Sequence, residues 1–461
     1  MTRAPEPYGP IRRFSSGPID GLYDLVTGDE DARVCKDIPP ESCNDQPRNF
    51  FAYLGANLLT KVADELCSAK LILPWLLGAL GAPGLLVGLL VPIREAGVLL
   101  PQLAVAAYIR RLPLRRGVWI WGSLLSAAVL VLMALAAATL SGAAAGWVIV
   151  ALLVLFSLSR GLCSVSAKDV LGKTVSKARR GNLMGVSAGI AGALTLALGL
   201  ALQLAGPGES QAAGGEADGG AVAVLVLLLG GAAALFALAA LVFRLIREQP
   251  GATEGGGNAL ATALEHLALL RTDPLFRRFV LVRVSLLSVA LAPPFYVLLA
   301  QRGSEGGLGG LGLLIIASGL AGSISAPVWG RLSDRSARLV MVSASAGAGL
   351  VGVLTWLSAQ ADGVLLEQTW LFALLFLLLN IAHAGVRLGR KVYLVDMASS
   401  DTRAAMVAVS NTVIGVAMLA GGLIGVVADL YDAATVILAL GLASIAAALY
   451  ARRLAEVSEP E

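Results

Sequence analysis

Twelve long apolar stretches follow one another along this chain, and the polar segments between them alternate between basic and nearly uncharged. They predict helices at about 51–79, 84–109, 117–140, 146–168, 182–205, 221–244, 278–300, 308–329, 338–360, 369–393, 404–428 and 433–452. Apolar runs of this length are long enough to cross a bilayer. The segments after the second, fourth, sixth, eighth, tenth and twelfth spans carry the Lys and Arg. Examples are Arg110-Arg111 with Arg115-Arg116, then Lys173 to Arg180, and Arg452-Arg453. The opposite loops are short, Gly-rich and almost free of Lys and Arg. By the positive-inside rule both termini are expected in the cytoplasm.

Composition agrees with a membrane-embedded chain. Of 461 residues, 57% are hydrophobic and 14% charged, against about 25% charged in soluble domains. The net charge is +4, and no basic cluster is interleaved with aromatics, so nucleic acid is not an expected partner. Four Cys have no metal-ligand spacing, and no metal or cofactor is expected. Cys35 and Cys43 fall in a polar segment assigned to the cytoplasm, where thiols are expected to be reduced. No phosphate-binding Gly-x-x-x-x-Gly-Lys-[Ser/Thr] motif occurs, so neither an enzyme nor an ATP-driven pump is expected.

The fold class expected is an all-α polytopic membrane protein, with twelve transmembrane helices in two pseudo-symmetric six-helix bundles. Residues 1–48 are polar, without the apolar core of a signal peptide, and form a cytoplasmic extension in which Ile19 to Val26 is a candidate surface helix. Residues 49–244 form the first bundle and 278–453 the second. Between them, 245–277 is a cytoplasmic loop with an amphipathic segment from Ala259 to Leu270, and 454–461 is a cytoplasmic tail. The halves repeat: Gly161 and Arg179 become Gly385 and Arg403 at an offset of 224 residues. Parallel six-helix repeats are a known transporter architecture.

Charge inside the spans is unevenly distributed. A charge at membrane depth is costly unless it faces protein or water. The third, sixth, ninth and twelfth spans carry none, so they are free to face lipid. The first carries Lys61, Asp64, Glu65 and Lys70; the second Arg94 and Glu95; the fourth Arg160 and Lys168; the seventh Arg283; the tenth His383 and Arg387. In the first span Asn57, Lys61, Asp64 and Ser68 share one face at about 100° per residue.

Over residues 50–455 the chain resembles the major facilitator superfamily. Gly330-Arg331-Leu332-Ser333-Asp334-Arg335-Ser336-Ala337-Arg338, between the eighth and ninth spans, is similar to that family's cytoplasmic motif, with Ala337 in place of its second Gly. The resemblance implies that spans 1, 4, 7 and 10 line a central cavity and that 3, 6, 9 and 12 support it from outside. It also implies that Gly330, Asp334, Arg335 and Arg338 form a cytoplasmic gating latch, which breaks when the gate opens. The corresponding N-half loop has no Asp. Helix 5 lacks the Gly-Pro motif of the drug/proton antiporters, which weakens a drug-efflux assignment.

On this reading the proton-coupling and cavity residues are Asp64, Glu65, Glu95, Lys61 and Arg94, with a five-residue ion-pair network among them. Asn57, Arg160, Asn380, His383 and Asn411 are candidates for solute binding. The function expected is a secondary transporter of a small organic solute, working by alternating access as a monomer in the inner membrane. Protons are the expected driving ion and Na⁺ the alternative. Metabolite efflux, lipid flipping and a non-transporting sensor compete with it.

Overall fold

The computed structural model describes residues 19, 23, 26, 38, 40–212, 217–251, 253, 267–303, 307–361, 369–399 and 402–457. Among them there is no strand, and ten helices are long and apolar enough to cross a membrane. The first two predicted spans are each built from two shorter helices, α1 (Gln46–Leu66) with α2 (Ile72–Ala79) and α3 (Gly84–Leu99) with α4 (Gln102–Arg110). Then come α5 (Arg116–Thr139), α6 (Gly142–Thr174), α7 (Lys177–Ala212) and α8 (Ala217–Phe243). The second half holds α9 (Pro274–Ser285), α10 (Leu287–Leu291), α11 (Pro293–Gly303), α12 (Leu308–Arg335), α13 (Ala337–Gln360) and α14 (Thr369–Met397). It ends with α15 (Arg403–Gly421), α16 (Gly425–Leu430) and α17 (Ala433–Ala451).

The first span is therefore not the single long helix expected. It stops after Leu66 and resumes at Ile72, with Leu73 N–H donating to Ser68 O at 2.9 Å. Pro74 explains the break, because it has no N–H for the carbonyl four residues back, at Lys70, and its ring crowds that carbonyl. The seventh span is also broken, at Leu286 and at Ala292 just before Pro293-Pro294.

The wholly apolar spans are the outer supports. In the first half α5 and α8 are joined by Ser123, whose hydroxyl donates to Phe236 O at 2.8 Å; in the second, α13 and α17 are joined by Ser345 donating to Ser444 O at 2.7 Å. Small residues let the backbones approach: a Cβ on Gly352 would lie 2.9 Å from Gly441 Cα. Their outward faces expose Trp121, Leu132, Leu227, Leu241, Leu350 and Leu449.

The repeat is visible as a shared device. Arg180 donates to Gly172 O and Val175 O, and Arg403 to Val395 O and Ala398 O. Each ties the first turn of one helix to the last carbonyls of the preceding one, where positive charge is favoured. These positions correspond at an offset of 223 residues, one less than the sequence pairing of Arg179 with Arg403.

At the basic end of the first half, Glu248 is fully buried and accepts from the backbone N–H of Arg115 and of Arg116, at 2.8 and 2.7 Å, and from Lys173 at 3.1 Å. A carboxylate at a helix N-terminus satisfies donors that the helix leaves free. Asp169 joins the cluster through Lys173 and Arg115. Glu248→Gln should lower the melting temperature of the purified chain, at a cost of about 1–3 kcal/mol, since Lys173 loses a charged partner. An unchanged melt would show that the cap, not the charge, matters.

Ile19, Tyr23 and Val26 are helical, as expected for that segment. Tyr23 is buried against Phe50 and accepts from Gln46 Nε2 at 2.6 Å. Cys43 is disulfide-bonded, against the expectation of reduced thiols, which rested on compartment alone. The amphipathic segment 259–270 lies outside the described residues except for its last four.

Candidate functional site

The two bundles meet along two seams, and both are tight at the end opposite the basic loops. In the first, α3 crosses α15 and α16. A Cβ on Gly88 would lie 2.8 Å from Gly422 O and from Gly425 Cα, and one on Gly425 2.6 Å from Gly84 O. Asp429 accepts from the N–H of Gly84 and of Leu85, capping α3 from the other bundle. In the second seam, Gly199 and Gln203 of α7 touch Gly312 of α12, and Leu196 touches Gly319. Gln301 closes the same end by donating to Trp75 O at 3.1 Å.

The second seam opens towards the basic end. Gly185, Gly189 and Gly192 continue the stripe of α7 that carries Gly199 and Gln203, since residues three, four and seven apart share a helix face. A Cβ on any of the three would meet nothing within 4 Å, and the same holds for Gly322 and Gly330 of α12. These positions face open space towards the basic end, whereas the same two helices touch backbone to backbone at the Lys/Arg-poor end.

Asp64 stands where three spans converge. Its two carboxylate oxygens accept from Arg94 Nη2 and Arg160 Nη2, each at 3.1 Å. Aromatic faces hold both cations in place: Arg94 lies over Phe156 at 5.3 Å and Arg160 over Phe236 at 4.6 Å. Arg160 is nine-tenths buried, and its Nε and Nη1 have no partner.

The expected five-residue network is thus reduced to one acid and two arginines, one of them Arg160. Lys61 does not pair with Asp64 or Glu65. It donates to Ser187 Oγ at 3.1 Å, and Asn57 donates to the same hydroxyl at 2.8 Å. These two side chains dock α1 on α7. Glu65 is exposed on its helix.

Glu95 faces the other bundle. His383, Arg387 and Arg390 recur four and three residues apart on one face of α14. Lys70 and Glu95 lie across from them, within electrostatic reach. Lys70 comes from the break in the first span. Arg283 is buried, bonded to Ser410 and to Asn411 Oδ1 at 3.5 Å, with Arg390 nearby. Among the described residues none of these cations has a carboxylate within 4.0 Å. Asn380 turns back on its own helix, donating to Phe376 O at 2.8 Å.

A cavity of about 340 Å³ opens beside the Asp64 clasp, inside the first bundle. Tyr53, Asn57 and Thr60 line it from α1, Arg94 from α3, and Arg160, Ser164 and Lys168 from α6. Trp119 of α5 and Phe243 of α8 form its wall, stacked with centroids 4.0 Å apart. Nothing in the sequence marks the last two as cavity residues, since they belong to spans without charge.

The expected latch between Asp334 and Arg338 is not made. Arg338 pairs with Glu456 at 3.3 Å and donates to Leu454 O at 3.0 Å, while Asp334 and Arg335 are exposed and Gly330 faces open space. Arg338 finds its carboxylate in the C-terminal segment instead.

Comparison with known proteins agrees with this architecture. Residues 284–461 match the family model of the Major Facilitator Superfamily. Among solved structures, the nucleoside transporter NupG, in a mutant form, superposes with a TM-score of 0.66 at 15% identity, covering 87% of this chain and 99% of that one. A D-xylose-proton symporter gives 0.63 at 13% identity, covering 88% and 97%. The inward-open xylose transporter XylE from E. coli gives 0.61 at 12% identity, covering 88% and 96%. No curated protein matches the chain in sequence.

Proposed function

The chain has the fold of the major facilitator superfamily transporters, and from that premise we propose that it moves a small organic solute by alternating access, coupled to protons. The observation that carries the reading is the asymmetry of the two seams. One end is closed by backbone-to-backbone contact at glycines, and the other is open along the same helices. Two rigid bundles that rock about a midplane site would exchange these arrangements. With the basic end in the cytoplasm, the structure is the inward-open state.

Of the three carboxylates, Glu95 suits the coupling role best. Asp64 is committed to two arginines within its own bundle, so its charge is needed in place. Glu95 stands within electrostatic reach of Lys70 in its own bundle and of Arg390 across the cleft in the other. A negative Glu95 attracts both; a protonated one does not. Proton binding would thus change the electrostatic link between the bundles, as coupled transport requires.

The test is internal pH in proteoliposomes, with a panel of labelled organic acids, sugars and nucleosides. Wild type should show a solute-dependent pH change, and Glu95→Gln should abolish it while leaving solute exchange measurable. Solute that equilibrates in wild type with no pH change would make the protein a uniporter or couple it to another ion.

The closed seam gives a second prediction. Asp429→Ala removes both caps on α3, worth about 1–2 kcal/mol, from this state alone. The variant should bind external solute with a several-fold change in affinity. An unchanged affinity would show that Asp429 does not bias the gate.

A further inference from the structure

We infer that the solute is a small organic anion whose carboxylate or phosphate is held between the two bundles, by Lys70 of the first and by Arg387 and Arg390 of the second. This deepens the transport reading and rests on it. Packing places both walls of that cleft. On α3, Gly84, Gly88 and Pro92 lie against Gly422 to Asp429 of the second bundle. Glu95 continues the same face, because steps of three and four residues stay on one side of a helix. On α14, Gly385 and Gly389 pack on α12 and α13, where a Cβ would lie 2.6 Å from Trp329 and 2.8 Å from Met341. At 3.6 residues per turn, His383, Arg387 and Arg390 stand about 140–200° from Gly385. They therefore face away from their own bundle and towards Lys70 and Glu95, which act on them electrostatically. Depth agrees as well. Glu95 lies about 16 Å along α3 from Gly84, and His383 about 21 Å along α14 from Thr369, at 1.5 Å per residue. Arg387 and Arg390 follow one and two turns nearer the basic end.

The charges in this cleft do not balance. Lys70, Arg387, Arg390 and the buried Arg283 act on one another, and Arg283 donates only to the neutral Ser410 and Asn411. Glu95 is felt by both Lys70 and Arg390, and Glu65 by Lys70 alone. Among the described residues the side chains of Lys70, Glu95, Arg387 and Arg390 make no hydrogen bond or ion pair. Cations at membrane depth are costly without a counter-charge. An oxyanion supplies it, accepting from Arg through two parallel N–H groups and from Lys as a point charge. At the basic rim Lys168 of the first bundle and Lys391 of the second are both exposed, and each lies within reach of the other's charge. A rim of one sign draws anions in and turns cations away. Glu95, while negative, competes with the solute for Lys70 and Arg390.

The experiment is thermal stabilisation of the purified full-length chain in detergent at neutral pH. The probes are succinate, benzoate and phenyl phosphate, with succinamide, benzamide and benzylamine as controls. At least one anion should raise the melting temperature, with an effect that weakens as salt rises. The controls should not. Lys70→Gln and Arg390→Gln, one from each bundle, should each weaken that anion about tenfold or more. Glu95→Gln should tighten it several-fold. Without ligand neither cation variant should melt below wild type, since each removes a charge that has no carboxylate partner.

Equal stabilisation by the amides or the amine would overturn the inference, as would no response to any of the three anions. Anion binding that is lost in Arg390→Gln and unchanged in Lys70→Gln, or the reverse, would overturn a site shared by both bundles. A lower melt of either empty variant would make that cation structural and remove it from the site, and weaker binding in Glu95→Gln would rule out competition. Binding is read without a membrane. Anion binding with no flux in liposomes would therefore count against the transport reading alone. Flux of neutral sugars or nucleosides without anion binding would count against this inference alone.

Discussion

Asp64→Asn should be the most damaging single change in the first bundle. It removes the one carboxylate shared by Arg94 and Arg160 and leaves two guanidiniums facing each other at membrane depth. Breaking a buried pair costs about 3–5 kcal/mol and an exposed one about 0–1. Asp64 is 31% exposed and Arg160 10%, so a loss of about 2–4 kcal/mol is expected between those limits. The melting temperature in detergent should fall accordingly, and transport with it. Replacing both Asp64 by Asn and Arg160 by Gln should recover part of the loss, because only Arg94 is then left unpaired. If the double variant is no more stable than Asp64→Asn, the three groups do not form one unit.

Gly88→Leu should shift the conformational equilibrium more than any other change. Even a Cβ at this position collides with backbone, at Gly422 O and Gly425 Cα, and backbone cannot move aside as a flexible side chain can. Overpacking of this kind costs about 1–3 kcal/mol. The cost falls on the state with this seam closed. A strain of that size moves a two-state equilibrium by about 5- to 150-fold. The variant should therefore populate the opposite state, open at the Lys/Arg-poor end. Solute counterflow should be slowed while the fold, followed by circular dichroism, is retained. Wild-type counterflow rates would show that the glycine seam is not a moving part.

The outer supports were the most legible part of the chain. Spans such as Arg116–Thr139 and Ala433–Ala451 hold no charge in their apolar interiors, and that alone predicts which helices face lipid. The meeting of Asp64 with Arg94 and Arg160 was partly legible, because charges at similar depth on neighbouring spans must find one another. Lys61 was not, because its direction depends on how α1 packs on α7, and Ser187 carries no sequence signal distinguishing it from other serines. Pro74 was a readable signal for the break after Leu66, and it is what puts Lys70 in the cleft. Trp119 and Phe243 could not be placed at a cavity from sequence, since an aromatic residue in an apolar span looks the same facing lipid, core or solute. Glu248 was hidden for a related reason: its role depends on a helix more than a hundred residues away.

Opening one end of the molecule should close the other. It is tested by spin labels at Gly189→Cys and Gly322→Cys, both in open space towards the basic end of α7 and α12, with Cys67 and Cys163 replaced by Ser. The distance between them is compared with and without Gly88→Leu. The wedge at the closed end should shorten the distance at the basic end, giving a new, shorter population. An unchanged distance would mean that the two ends move independently, and would contradict alternating access in this protein.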